Sequence, residues 1–582
     1  HPVEQVVDIA LAVLPRGEAC QLACIAASHA TDKPPLVPIR PPFVPEPCRS
    51  GPIHLAQQPL IREYAGSTIL GNPIVHSRDL LKPPTAAPGP HLSAIPVLVI
   101  AVLFGVAHML TNGQYGFHRD ELQFLSDAQH LDWGFVPYPP LTAALEHLGL
   151  KMFGLSLVGL RLFSVLAQVM VILASGLMVR DLGGGRLAQT FTAIAVALSP
   201  APMADATEFQ YSSFDMLWWV LIAWSVIRLL RDDEPRWWLA IGIFAGLGLQ
   251  TKYSIAFELA GVLVGVLLTD ARRYVTSGWF WAGGAIALVL FAPNLAWLIR
   301  HDFISYHFLQ GIHARDVNEG RADGFLRDQF LINANLFAAP VWLAGLFGYF
   351  SNRRYRMLAW MYAVPLLLFL FAQGRFYYTQ GTYPMLLAMG SVIGERWLRT
   401  MRPAWRVGTA TLLFTGVSAI GIYAALCIVP LASSGPLRDF ALRRNNDLRE
   451  EIGWNELVAQ VAAIRDALPA EQQAHLGIVV GNYGEYGAIA LLGQKYHLPT
   501  PITAVNSGWL RGYPQTPPST MIVLGSSHKR ADELFIDCRL AGHSANAWGV
   551  VNEESQYHPD IFVCGPTRKP WSELWGYGPE FG

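Results

Sequence analysis

Long apolar runs separated by short polar loops dominate the chain from residue 93 onward. About eleven runs approach or reach the roughly 20 residues that a helix needs to cross a bilayer. They lie at 94–112, 157–179, 187–204, 213–230, 237–251, 254–269, 278–298, 329–350, 357–373, 382–397 and 407–430. Because only helices satisfy their own backbone hydrogen bonds in lipid without closing into a barrel, the pattern predicts an α-helical polytopic membrane protein with about 11 transmembrane helices.

The segments that flank these runs have a different character. Residues 1–92 contain proline-rich stretches such as PPLVPIRPPFVPEP, and we interpret them as a disordered segment or a mis-assigned start. Residues 93–431 form the predicted membrane domain. Beyond residue 432 the stretches HLGIVVGNYGEYGAIALLG, MIVLG and DIFVC indicate strands alternating with a helix. This alternation predicts a small α/β domain over 432–582.

The composition agrees with a membrane protein. Charged residues make up 15% and hydrophobic residues 52% of the chain, whereas a soluble protein carries about 25% charged residues. The formal net charge of −1 argues against a nucleic-acid partner, which calls for a basic surface. The cysteines lack the spacing of a zinc site. Cys538 and Cys564 either form a disulfide in an oxidising compartment or remain two buried thiols.

The distribution of arginine and lysine predicts the orientation of the chain. Short loops dense in positive charge are expected in the cytoplasm; they hold Arg180, Arg186, Arg228, Arg231, Arg236, Arg272, Arg273, Arg353, Arg354, Arg356, Arg396, Arg399, Arg402 and Arg406. The opposite loops are longer and sparser in charge, and an odd number of crossings puts the C-terminal domain with them, outside the cell. The first outer loop, 113–156, carries apolar residues at helical spacing in its second half, which predicts a helix lying in the interface.

An acidic pair follows the first apolar run. Asp120 and Glu121 come directly after His118 and Arg119, and ionisable groups near membrane depth tend to mark function. Adjacent residues on a helix point about 100° apart, so one acid can face a cavity while the other anchors the loop. A solvated cluster of loop charges is the alternative.

Two isolated cations lie on the same predicted face. Lys252 and Arg375 are each the lone cation of a very short outer turn, and aromatic residues such as Tyr377 and Tyr378 flank them. Snorkelling to lipid headgroups is the alternative role. Two cations and a carboxylate near one interface suit a lipid-linked phosphate substrate. The cations would hold the phosphate leaving group while the acid takes a proton from an attacking hydroxyl.

Two further features are less specific. Asp215 opens the fourth apolar run and is either a helix N-cap or a site residue. The stretch GNYGEYG is a single glycine-rich turn, which is a weak indication of a nucleotide site.

Several segments together resemble one known family. FHRDELQFLSDAQHLDWGFVPYPPL, GLRLFS, RDLGGGR, LQTKYS, FAPNLAW and GRFYYTQGTYPMLLA resemble the bacterial protein-mannosyltransferase-like glycosyltransferases of the GT-C superfamily, over about 93–430. The resemblance implies an enzyme that moves a sugar from a polyprenyl-phosphate carrier to an acceptor hydroxyl on a lipid, glycan or protein. It would act at the outer face of the bacterial plasma membrane.

The resemblance also implies roles for individual residues. Asp120 matches the family's first-loop acid and, with Glu121, is the catalytic candidate. Lys252 and Arg375 lie where similar proteins contact the carrier phosphate. The secondary candidates are His118, Arg119, Tyr138, Asp215, Tyr377 and Tyr378.

The chain departs from the family pattern at one point. Related proteins often carry an acidic residue, implicated in metal binding, shortly before a Pro-Pro pair, whereas Pro137 and Tyr138 precede Pro139 and Pro140 here. This puts a divalent-metal dependence in doubt, and His301 is only a weak candidate ligand.

Two functions of other classes compete with glycosyl transfer. A transporter or flippase of a lipid-linked sugar predicts internal repeats and ionisable residues deep in the spans. The sequence has no clear repeat, and its candidate residues cluster at one face. A receptor module on a membrane anchor would need only one or two spans, so the predicted number of about 11 argues against this function.

Overall fold

The structure, a computed structural model, describes residues 94–582, which lie within one compact unit. The prediction for residues 1–92 falls outside the described residues. The helices of the membrane part are α1 (Ala94–Thr111), α2 (Arg119–Ala128), α3 (Leu141–Phe153), α4 (Leu157–Asp181), α5 (Arg186–Ala197), α6 (Pro200–Thr207), α7 (Tyr211–Asp232), α8 (Trp237–Leu249), α9 (Ile255–Leu268), α10 (Gly278–Arg300), α11 (Ile304–Asn318), α12 (Phe325–Leu331), α13 (Ala339–Ser351), α14 (Arg356–Phe371), α15 (Tyr383–Thr400) and α16 (Pro403–Ile428).

Every predicted apolar run is helical, either as one helix or as two consecutive helices. Among the described residues, α4, α7, α10 and α16 are long and apolar enough to cross a membrane, and the count rises to 6 if each bent pair is one span. Helices α1, α8, α9 and α14 are apolar but shorter. The predicted helical membrane protein is therefore confirmed, while the number of eleven crossings stays a prediction.

Two of the predicted runs are bent. Helices α5 and α6 meet at 56°, and the segment from α12 to α13 bends by 91°. Pro200 opens α6, where its ring suits a first helical turn but cannot continue the helix before it. At the second bend the Asn335 side chain accepts from Phe337 N and donates to the carbonyls of Leu198 and Val417. Each of the two predicted runs, 187–204 and 329–350, therefore contains a break, and each bent pair can still be one span.

Residues 113–156, which the sequence predicts to be the first outer loop, contain α2 and α3. Helix α3 confirms the helix predicted in the second half of this loop. Its Leu148 and Met152 are 46% and 59% exposed, whereas Ala143 is buried. An apolar face left uncovered by protein suits contact with lipid at the interface.

A small mixed sheet forms the centre of the C-terminal part. Its helices are α17 (Gly435–Arg444), α18 (Trp454–Asp466), α19 (Ala470–Ala474), α20 (Tyr483–Leu492), α21 (Ser507–Leu510), α22 (His528–Leu534), α23 (Glu553–Tyr557) and α24 (Trp571–Trp575). The strands β1 (Leu476–Val479), β2 (Thr520–Val523), β3 (Arg539–His543) and β4 (Asp560–Cys564) have the order β1-β2-β4-β3. Strands β1 and β2 are parallel, and the other pairs are antiparallel.

Three of these strands match the prediction. Strands β1, β2 and β4 have largely buried residues and come from the apolar stretches that the sequence indicated. Strand β3 was not predicted because its residues, RLAGH, are mostly exposed at the sheet edge and show no apolar alternation.

A disulfide joins Cys538 to Cys564. It links the residue before β3 to the last residue of β4. Of the two alternatives for these cysteines, the disulfide is therefore the correct one.

Cys538→Ser should lower the free energy of unfolding of the C-terminal part by about 3 kcal/mol, because the bridge spans a sequence separation of 26 residues. Differential scanning fluorimetry of the purified protein measures this as a lower melting temperature. Cys427→Ser, which alters a thiol in α16, is the control and should leave the melting temperature unchanged. An equal melting temperature for the wild type with and without reducing agent would contradict the assignment.

Candidate functional site

A capping box at His118 starts α2 and sets the position of the acidic pair. The His118 side chain accepts a hydrogen bond from Asp120 N (3.2 Å), and Glu121 Oε2 accepts from His118 N (2.8 Å). Such reciprocal bonds satisfy backbone donors that a helix start leaves free. Asp120 and Glu121 therefore both lie in the first turn of α2.

Glu121 points into the protein. Its two oxygens accept from Arg161 Nε and Nη2, both at 2.8 Å, and Oε1 also accepts from Phe209 N at 2.7 Å. Arg161 lies near the start of α4 and is 0% exposed. The Glu121 carboxylate is thus surrounded by donors, which favours an anchoring role over a catalytic one for this residue.

The same arginine reaches the C-terminal part. Arg161 Nη1 lies 3.3 Å from Glu451 Oε2 and donates to the carbonyl of Asn112. Burial raises the pKa of Glu451 to about 8, with Arg161 offsetting part of the rise and Glu121 adding to it. At neutral pH Glu451 is therefore mainly protonated, and the buried cation is balanced by one carboxylate.

Asp120 points the other way and stays half-buried. Gln210 Nε2 donates to its Oδ2 at 2.9 Å, and the Tyr483 hydroxyl donates to its Oδ1 at 2.8 Å. Burial alone would raise the pKa of Asp120, but neighbouring groups outweigh burial and lower it from its ordinary value; they are His118, Gln210, Arg119 and Tyr483. This side chain is therefore an ionised acceptor at neutral pH.

Lys252 is held by aromatic rings. Its Nζ lies 4.7, 5.2 and 4.8 Å from the ring centroids of Tyr211, Tyr377 and Tyr378. Asp205 and Asp215 are its electrostatic neighbours, but among the described residues neither forms an ion pair with this Nζ within 4 Å. Cation–π contact stabilises an ammonium without using up its hydrogen-bond donors.

Tyr211 connects the cation to the acidic pair. It follows Gln210, the Asp120 partner, and its ring also lies 5.7 Å from Phe124 in α2. Tyr377, whose ring also contacts Lys252, has its hydroxyl 3.4 Å from Arg375 Nη1. Tyr211 and Tyr377 therefore connect the first-loop acid with the two predicted cations.

Arg375 forms a bidentate ion pair. Its Nε and Nη2 donate to the two oxygens of Asp316 in α11, both at 2.7 Å. Its Nη1 lies 3.4 Å from the Tyr377 hydroxyl. Arg315, beside Asp316, interacts electrostatically with Tyr483, and its buried Nε has no hydrogen-bond partner among residues 94–582.

Two secondary candidates lie in the protein interior. Asp215 belongs to the second turn of α7, so it is not an N-cap, and it accepts from Ser254 Oγ at 2.8 Å. Tyr138 is 1% exposed and donates to Asp127 Oδ2 at 2.5 Å. Both positions favour a structural role.

The remaining candidates flank Asp120 or lie apart from it. Arg119 forms an ion pair with Glu553 and lies 4.7 Å above the Tyr483 ring. The His301 Nδ1 lies 2.8 Å from the carbonyl of Trp297, on whose ring it stacks. Within residues 94–582, no three His, Cys, Asp or Glu side chains are grouped to hold a metal ion, so His301 gains no co-ligands.

Several contacting residues were missed by the sequence analysis. They are Arg161, Gln210, Tyr211, Asp316 and Tyr483. Tyr483 lies in GNYGEYG, a stretch whose composition suggested only a weak nucleotide site. Nothing local in the sequence marks the other four, because each acts through a partner distant along the chain.

The chain is similar in sequence to membrane glycosyltransferases. A profile of the family described as dolichyl-phosphate-mannose-protein mannosyltransferase matches residues 137–297. Lipid A galacturonosyltransferase RgtD of Rhizobium johnstonii is 24% identical over 371 residues, which cover 61% of this chain and 74% of that protein. The polyprenol-phosphate-mannose–protein mannosyltransferase of Corynebacterium glutamicum is 29% identical over 176 residues, 25% of this chain and 34% of that one.

The fold is similar to that of solved structures of ArnT. Crystal structures of ArnT from Cupriavidus metallidurans, in the apo state and bound to undecaprenyl phosphate, align with TM-scores of 0.53 and 0.50. Both are 14% identical to this chain and cover 80% and 81% of it, and 97% and 98% of their own length. The described residues therefore share the fold of these two structures.

Arg161→Met should lower the free energy of unfolding by about 3–5 kcal/mol, because it leaves the Glu121 carboxylate buried without its cation. Thermal unfolding in detergent at neutral pH measures the loss. The double variant Arg161→Met/Glu121→Gln should recover most of it, since Glu451 is mainly protonated at that pH. Equal melting temperatures for the single and double variants would contradict the charge balance described above.

Proposed function

We propose that this chain, a membrane glycosyltransferase related to the protein-mannosyltransferase-like enzymes, transfers a sugar from a polyprenyl-phosphate carrier to an acceptor hydroxyl. The observation that carries the proposal is that Tyr211 and Tyr377 connect Asp120, Lys252 and Arg375. The named relatives are glycosyltransferases, and no observation favours the alternative of a transporter or flippase.

Lys252 is the proposed contact of the carrier phosphate. Three tyrosine rings hold its ammonium, and within the described residues no carboxylate competes for it within 4 Å. A departing polyprenyl phosphate gains negative charge as its bond to the sugar breaks. A fixed ammonium at that position stabilises the transition state more than the ground state.

Arg375 is the proposed second cation. Asp316 occupies Nε and Nη2 of its guanidinium and thereby fixes the plane of the group. Nη1 lies beside the Tyr377 hydroxyl, and the Tyr377 ring contacts Lys252. Nη1 is therefore the donor that faces Lys252. Arg375 would therefore bind one phosphate oxygen while Asp316 keeps it in place.

Asp120 is the proposed base. Its lowered pKa keeps it ionised at neutral pH, and each carboxylate oxygen that accepts one hydrogen bond retains a second lone pair. An acceptor hydroxyl bound there would lose its proton to Asp120 as it attacks the sugar carbon, while the carrier phosphate leaves toward Lys252. Glu121 is assigned to anchoring α2 through Arg161.

The site is proposed to face the outside of a bacterial inner membrane. The support is the concentration of arginine in the opposite loops, which the positive-inside rule assigns to the cytoplasm. The disulfide Cys538–Cys564 agrees, because the C-terminal part that carries it contacts the site and disulfides persist in oxidising compartments.

Asp120→Asn should lower kcat by about 10²- to 10⁴-fold, the usual contribution of a general base. The measurement is transfer of labelled sugar from polyprenyl-phosphate donor to an envelope extract by purified protein in nanodiscs. Asp323→Asn, at an exposed position of the loop after α11, is the matched control and should behave as wild type. Full activity of Asp120→Asn protein with a normal melting temperature would remove Asp120 from the mechanism.

Lys252→Met should raise KM for the polyprenyl-phosphate sugar by roughly 10- to 100-fold, because it removes a charge-assisted hydrogen bond to phosphate. Product inhibition by polyprenyl monophosphate should weaken in parallel. Lys151→Met changes an exposed lysine on α3 and should alter neither value. If Lys252→Met and wild type were inhibited equally by polyprenyl monophosphate, the phosphate would have to bind elsewhere.

A further inference from the structure

The C-terminal part reaches the proposed base directly. Helix α20 begins at Tyr483, and Asn482 caps it by accepting a hydrogen bond from Glu485 N. From this first helical position the Tyr483 hydroxyl donates to Asp120 Oδ1 at 2.8 Å. The phenol is therefore fixed at the start of a helix and aimed at the carboxylate.

Two glycines bring α20 and α2 into backbone contact. A Cβ at Gly487 would overlap the carbonyl oxygen of Leu122, and a Cβ at Gly484 would lie 3.1 Å from Arg119 Cβ. Residues three apart lie on the same face of a helix. The GNYGEYG stretch is therefore a docking surface for α2, which explains its glycines without a nucleotide.

The side chains around Tyr483 restrict its ring as well. The Arg119 guanidinium lies 4.7 Å from the centroid of the Tyr483 ring, and Arg119 in turn pairs with Glu553 of α23. A tyrosine so enclosed loses little further freedom when it binds the carboxylate. The Tyr483 hydroxyl can therefore hold the Asp120 carboxylate in one orientation.

The carboxylate of Asp120 is held from two sides. Gln210, just before α7, binds Oδ2, and Tyr483 binds Oδ1. Two donors on different oxygens set the plane of the carboxylate and the direction of its remaining lone pairs. A base must meet its proton within hydrogen-bond reach and in line, so this plane affects the rate of transfer.

We propose that Tyr483 is a positioning residue for Asp120, so that the C-terminal part completes the catalytic site. The inference rests on the proposed function of Asp120. It assigns to the C-terminal part a contribution to the chemical step in addition to any contact with the acceptor.

Tyr483→Phe tests the proposal because it removes the hydroxyl and keeps the ring that Arg119 contacts. We expect kcat to fall roughly 10- to 100-fold, the effect of losing one hydrogen bond to a charged group. KM for the polyprenyl-phosphate sugar should stay within about twofold, because Lys252 and Arg375 are not altered. Tyr496→Phe is the matched control in the same part of the chain. The Tyr496 hydroxyl makes no hydrogen bond within residues 94–582, so the kcat of this variant should equal that of the wild type.

A double-mutant cycle separates positioning from general damage to the fold. In the Asp120→Asn background Tyr483→Phe should cause little further loss, because the carboxylate that it positions is gone. A wild-type kcat for Tyr483→Phe, or a loss of the same size in both backgrounds, would overturn the proposal. Full activity of Asp120→Asn itself would instead overturn the proposed function, so the two failures are distinguishable.

Discussion

A single buried guanidinium sets the geometry on which the site depends. Arg161 is fully buried and stays charged in any protein environment, so it requires a carboxylate beside it. Glu121 supplies that carboxylate, and Glu451 contacts the same guanidinium from the C-terminal part. The ion pair therefore draws the first turn of α2 onto the start of α4. Because Asp120 precedes Glu121, the helical rotation of about 100° turns it away from Arg161 and toward Gln210 and Tyr483.

The opposite side of the site depends on a different interaction. Lys252 is held by three tyrosine rings, whereas Arg375 is held by the carboxylate of Asp316. The two cations thus differ in what they offer a ligand. The ammonium keeps its hydrogen-bond donors for an anion, while most of the guanidinium is already engaged. For this reason we propose Lys252 as the leading phosphate contact and Arg375 as a supporting one.

The sequence predicts those features that depend on local periodicity. The apolar runs indicated the membrane helices, buried apolar stretches indicated β1, β2 and β4, and adjacency implied that Asp120 and Glu121 diverge. Features that depend on packing between distant segments had no such signal. Tyr483 lies 363 positions from Asp120 along the chain, and the pairing of Arg375 with Asp316 spans 59 positions. The sequence did not predict the bend at Pro200 because apolar residues lie on both sides of it. It did not predict β3 because this edge strand is mostly exposed and has no apolar pattern.

A structure of the protein in nanodiscs with polyprenyl monophosphate would show directly whether Lys252 binds the carrier phosphate beside Asp120. We expect the phosphate within hydrogen-bond distance of Lys252 Nζ, with the Asp120 carboxylate on the same side of the membrane and open to an acceptor beside it. A phosphate bound away from Lys252, or on the membrane face opposite to Asp120, would contradict the proposal.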